Sequence, residues 1–144
     1  ARVGWAAPFH RVRRLSRAAT AQLLERDPAC TDIPPDVRVE ADVHDILPGG
    51  GIVAMDRQLA LDCGPFDPRF AGYGGEDFAL GNAARTLSGN YAHVATGSLF
   101  HLWHPRAGVM SGDTKHLANR YRLAKFRRDA MQELINEWRR HGAG

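Results

Sequence analysis

Glu76 and Asp77 are adjacent carboxylates placed directly behind Gly72-Tyr73-Gly74-Gly75 and ahead of a helical run. Glycine backbones reach φ > 0 without a steric penalty and leave room for a ligand, so the turn is a platform and the acids face it. Two roles suit such a pair: a general base acting on a bound hydroxyl, or a favourable interaction with the helix dipole worth roughly 0.3–1 kcal/mol. A second reactive pair, His101 and His104, lies three residues apart at the end of a predicted strand, just before Pro105. Imidazoles at that spacing hold a divalent cation if the chain turns at once; otherwise one packs and the other is solvated.

The elements that must position these groups follow from the residue pattern. Arg2 to Phe9 is a short apolar run broken by Pro8 and reads as a strand buried on both faces. Ser16 predicts an N-cap for a helix from about Arg17 to Arg26, stopped by Asp27-Pro28. From Ala29 to Pro48, prolines and the alternating Val37-Arg38-Val39 predict an irregular excursion with one short edge strand, in which Asp42-Val43-His44 reads as loop. Gly49-Gly50-Gly51 turns into a buried strand ending near Met55, and Asp56 caps a short helix to Cys63 closed by Gly64. A helix over Asp77 to Leu87 precedes a mostly extended stretch from Tyr91 to Trp103. Beyond the polar loop Arg106 to Asp113, Leu117, Tyr121, Ala124, Met131, Leu134 and Trp138 form the apolar stripe of a long helix, interrupted at Arg127-Arg128, where it should bend or break. Strands alternating with helices predict an α/β fold, a mixed sheet flanked by helices, with ligands gathering at the carboxyl ends of the strands.

A chain of 144 residues, 44% hydrophobic, fits one core. The expected organisation is a domain over residues 1–112 with a basic helical tail, 113–144, packed on it. No apolar run approaches the roughly 18 residues of a membrane span, and Ala1 to Trp5 lacks the regions of a signal peptide. Cys30 and Cys63 have no ligand spacing, which argues against a disulfide framework and for a reduced, cytoplasmic setting. The net charge of +3 is uneven: Lys115 to His141 carries eight basic against three acidic residues, +5, leaving −2 elsewhere. Arg11, Arg13, Arg14 and Arg17 form a second basic cluster. Such patches attract phosphates of any kind or are simply solvated. Neither cluster interleaves aromatics as base-stacking surfaces do, which speaks against a nucleic-acid partner.

With Phe66-Asp67 and Phe70 ahead of it, Gly49-Gly50-Gly51 upstream and His101-Leu102-Trp103-His104-Pro105 downstream, the Gly-Gly-Glu-Asp segment resembles the C-terminal half of GT-A glycosyltransferases, in particular the galactosyltransferase and polypeptide GalNAc-transferase branches. The likeness covers roughly Val3 to Pro105. It implies a metal-dependent transferase that moves a hexose from a nucleotide-sugar donor to a glycan or other hydroxyl acceptor. By the same resemblance Asp77 is the catalytic base, and Tyr73, Gly74, Gly75 and Glu76 bind the acceptor. Gly50, Gly51 and Arg106 face the donor, and His101 and His104 hold Mn²⁺ or Mg²⁺. Arg57 and Arg69 are further candidates for the diphosphate, and Arg106 to Asp113 for a lid hinged at Gly108 and Gly112. Pro65 stands where that family commonly has glycine, and no Asp-x-Asp occurs in the chain. That departure implies a nucleotide-binding half supplied by a longer chain or a partner. The alternative is a non-catalytic carbohydrate-binding module derived from such an enzyme.

Overall fold

In chain order the elements are β1 (Trp5–Ala7), β2 (Arg11–Leu15), α1 (Arg17–Arg26), β3 (Val39–His44), β4 (Ala54–Met55), α2 (Arg57–Cys63), α3 (Glu76–Ser88), β5 (Ala92–His93), β6 (Ser98–His101), α4 (Gly112–Ala124) and α5 (Arg128–His141). They come from a computed structural model that describes residues 4–30, 32–44, 52–64, 66–89, 92–93, 97–105 and 108–141. The fold is mixed α/β. In place of one expected sheet there are two three-stranded sheets among the described residues, each pairing one parallel and one antiparallel neighbour to a central strand. The chain divides into two compact units.

The first unit comprises residues 1–8, 47–94 and 106–144. Here β1 lies between β4, antiparallel, and β5, parallel. Four helices supply the core, with Leu59 and Cys63 from α2, Ala79, Ala83 and Ala84 from α3, Leu117 and Tyr121 from α4, and Met131, Leu134 and Ile135 from α5 gathered with Trp5. The alanine face of α3 lets its neighbours approach closely. The expected long helix is broken at 125–127, so α4 and α5 can both turn their apolar faces to this core. Two arginines of α5 cap other helices: Arg128 donates to the carbonyl of Leu87 (2.8 Å) and Arg139 to that of Leu61 (2.9 Å). Burial pushes the Cys63 thiol up to about 12.

The second unit comprises residues 9–46 and 95–105. Its centre is β2, antiparallel to β3 and parallel to β6. Leu15, Ala19 and Leu23 form its core, with Val37, Val39, Phe100 and Leu102 packed around them. One expectation is corrected here: Asp42-Val43-His44 belongs to β3 instead of a loop. The basic cluster from Arg11 to Arg14 lies in β2. The physical reason is cross-strand pairing: Val12 faces Val43 in register, and the Asp42 carboxylate accepts hydrogen bonds from Arg11 Nε (2.7 Å) and Nη2, so charged positions sit in the sheet at little cost. The extended stretch expected from Tyr91 to Trp103 is likewise divided, with β5 in the first unit and β6 in the second. No helix among the described residues is long and apolar enough to cross a membrane.

Candidate functional site

The glycine turn has the backbone its composition demands. Gly72, Gly74 and Gly75 adopt φ of 83°, 88° and 100°. Gly75 is the N-cap of α3, so Glu76 and Asp77 are the first two helical residues. A Cβ at Gly75 would lie 3.2 Å from Ala118 Cβ and 3.2 Å from Phe70 Cε1, so this cap is closed against α4 by close approach as well as by φ.

Behind the turn stands a polar clasp that pattern reading did not anticipate. Thr114, fully buried, donates its hydroxyl to the carbonyl of Ala71 (2.9 Å), and Ser111, the N-cap of α4, donates to Thr114 Oγ1 (2.9 Å). One step earlier, the buried Asp67 carboxylate accepts from Arg69 Nη2 (2.7 Å) and Tyr121 Oη (3.0 Å). Arg69 reaches on to Glu137 (3.1 Å), which Arg120 also holds (2.7 Å). Arg69 is thus committed to the fold, and its expected part in binding diphosphate is corrected. The sequence signal for the clasp was the Asp-Pro-Arg triplet ahead of the glycines; its partners lie more than 50 residues away.

On the open side, Tyr73 and Phe78 are 42% and 51% exposed beside the half-buried Glu76 and Asp77. Burial, aided by repulsion from Glu76, raises the Asp77 carboxyl above its ordinary range despite the hydrogen bond it accepts from the Phe78 amide (2.7 Å). A carboxylate so perturbed is a better proton acceptor. Arg57 is exposed at the start of α2, and Gly112, expected as a hinge, is the first residue of α4. Gly50, Gly51 and Arg106 lie outside the described residues.

The imidazole pair belongs to the second unit. His101 ends β6, and its ring centroid is 5.2 Å from that of His104, both side chains being exposed. His104 Nδ1 is 3.0 Å from the carbonyl of Pro105. With Nδ1–H donating there, the Nε2 lone pair points away from the backbone, the arrangement usual in metal-bound histidine. Two imidazoles fill only part of a coordination shell, and among the described residues no group of three His, Cys, Asp or Glu is placed to complete one.

The Arg11 to Arg17 cluster resolves into two classes. Arg11 and Arg13 face Asp42, and Arg13 also lies over Phe100 (5.2 Å). Arg17 stacks on Trp103 (4.9 Å), whose amide is held by Thr20 Oγ1 (2.9 Å). The aromatic residues missing beside the cluster in sequence are supplied across the sheet. Compared with known proteins, the chain matches no family model, no curated protein and no solved structure.

Proposed function

We propose that this chain is the acceptor-binding and catalytic half of a glycosyltransferase that passes a hexose from a nucleotide-sugar to an acceptor hydroxyl. The observation that carries the reading is the turn at Gly72 to Gly75, with left-handed glycines delivering two carboxylates to the first turn of α3, one with a raised proton affinity. In this reaction Asp77 takes the proton of the acceptor hydroxyl as its oxygen bonds to the anomeric carbon. The bond from that carbon to the diphosphate oxygen breaks, the electron pair leaving with the diphosphate. Glu76 accepts hydrogen bonds from other acceptor hydroxyls, and the exposed ring of Tyr73 offers an apolar face to the sugar. His101 and His104, in the second unit, would hold two positions of a Mn²⁺ or Mg²⁺ ion, which when bound supplies positive charge to a phosphate group. The remaining ligands would come from outside the described residues.

Asp77→Asn keeps the shape and removes the base. Transfer by the complete enzyme should fall by about 10²–10⁴-fold with thermal unfolding unchanged; wild-type turnover in that variant rejects the assignment. A second reading, a carbohydrate-binding module without catalysis, is favoured by one observation, the lack of any Asp-x-Asp in the chain. Glycan binding that is indifferent to metal and nucleotide, with no transfer in their presence, selects it.

A further inference from the structure

We infer that the corner joining α4 to α5, in the first unit, is a docking surface for a bilayer bearing anionic headgroups. Leu123, near the end of α4, and Phe126, in the turn after it, are 59% and 78% exposed, and Phe126 is the most exposed aromatic residue among those described. Single apolar side chains at a surface are ordinary; a leucine and a phenylalanine three residues apart in one fixed turn, among cations, are not.

Their exposure is built in. Tyr121 and Ala124 take the inward positions of this segment and are buried in the core. Lys125 keeps αR dihedrals, and the Arg127 amide donates to the Ala124 carbonyl (2.9 Å), closing a turn over Lys125 and Phe126. The end of α3 pins that turn: Thr86 Oγ1 donates to the Lys125 carbonyl (3.2 Å), and Arg128 to the Leu87 carbonyl (2.8 Å). The apolar side of α5 is already spent, because Met131, Leu134 and Ile135 are buried.

Charge selects the partner. Between positions 122 and 129 four basic residues stand against Asp129 alone, +3. Asp129 is paired with Arg127, and Glu133 adds its field to the same guanidinium. Arg122, Lys125 and Arg128 have no carboxylate within ion-pair distance among the described residues. Arg122 bonds to the neutral Asn119 amide oxygen (2.9 Å), Arg128 to the Leu87 carbonyl, and Lys125 Nζ lies 4.9 Å from the Phe126 ring centroid. An ammonium beside an exposed ring suits the boundary of a bilayer, where phosphates meet acyl chains. Leu123 presents no π face to a nucleic-acid base, whereas acyl chains accept leucine and phenylalanine alike.

The inference is independent of the transferase reading. The full chain is sedimented in low salt with vesicles of equal parts phosphatidylglycerol and phosphatidylcholine, and with vesicles of phosphatidylcholine alone. Binding to the anionic vesicles should be at least about tenfold stronger and should fall as sodium chloride is raised. Phe126→Ala should weaken it roughly tenfold and Leu123→Ala roughly fivefold, since each removes side-chain area that inserts. Arg122→Gln and Lys125→Gln should each weaken it about three- to fivefold. Ile52→Ala, at an apolar side chain 57% exposed elsewhere in the same unit, should change it by less than about twofold. Thermal unfolding should be unaltered in the Leu123, Phe126 and Arg122 variants, whose side chains are exposed. Equal binding to both vesicles, no binding to either, binding that survives in the Leu123→Ala/Phe126→Ala double variant, or an equal loss in Ile52→Ala overturns the inference. So does a dimer in analytical ultracentrifugation that Phe126→Ala dissolves without any vesicle binding, which gives the corner to a second copy. Oligonucleotide binding that Arg122→Gln weakens and Leu123→Ala does not, in place of vesicle binding, overturns it in favour of nucleic acid. Asp77→Asn should leave vesicle binding intact, so this surface and the catalytic assignment fail separately.

Discussion

Asp67 shows how far a single side chain in this fold departs from its apparent role. In sequence it is one letter of a turn leading to the glycines; in the structure it is 6% exposed and accepts from Arg69 and Tyr121 together. Asp67→Asn leaves a guanidinium without its nearest anion and should cost about 3 kcal/mol in urea unfolding, whereas Tyr121→Phe, which removes one hydroxyl donor, should cost about 1 kcal/mol. Equal costs would mean that the carboxylate holds nothing beyond the tyrosine. Pattern reading recovered residues whose signal is local: Ser16 and Asp56 cap α1 and α2 as their types predict. Arg69 stood only as a candidate for a diphosphate, because Glu137, its second partner, lies 68 positions downstream and no local pattern announces that meeting.

At the level of elements, the turn and α3 are positioned by α4. Gly75→Ala must fit a Cβ 3.2 Å from Ala118 and Phe70 at φ 100°, and should cost about 2–3 kcal/mol, whereas Gly72→Ala, with nothing within 4 Å of its Cβ, should cost about 1–2 kcal/mol for its φ of 83° alone. Thermal unfolding of both variants checks the order. Helices were legible here because caps, periodicity and the Arg127-Arg128 interruption lie within a few residues of one another. Strand β2 was not, and β3 was legible only as a short edge strand somewhere between Ala29 and Pro48. Arg11, Arg13, Arg14 and Asp42 occupy positions that hydrophobic alternation marks as solvent, and only pairing across the sheet makes them tolerable there.

Over the whole molecule, the chain leaves the first unit after Pro8, returns near Leu47 and crosses twice more around residues 95–105. Such interleaving has no sequence signature, because each segment looks like an ordinary strand or helix wherever it ends up. Within the first unit, Arg120 foremost and Arg69 with it hold the Glu137 carboxyl down to about 2. A depressed acid contributes stability that is complete above its unfolded value near 4.5 and is lost as pH falls through that value towards 2. Unfolding free energy should therefore decline across that window, and Glu137→Gln should flatten the decline. An unchanged acid limb in that variant would show that other carboxylates govern it.

The two thiols give this architecture a pair of clocks. Cys30, half-buried, lies in the second unit, and Cys63, shut inside the first, has a thiol too weakly acidic to react at neutral pH while α2 stays docked. Alkylation with iodoacetamide, followed site by site in a mass spectrometer, would time the opening of each unit separately. Matched labelling rates in mild denaturant would mean that both units melt in one cooperative event, and a lag at Cys63 that the second opens while the first remains closed.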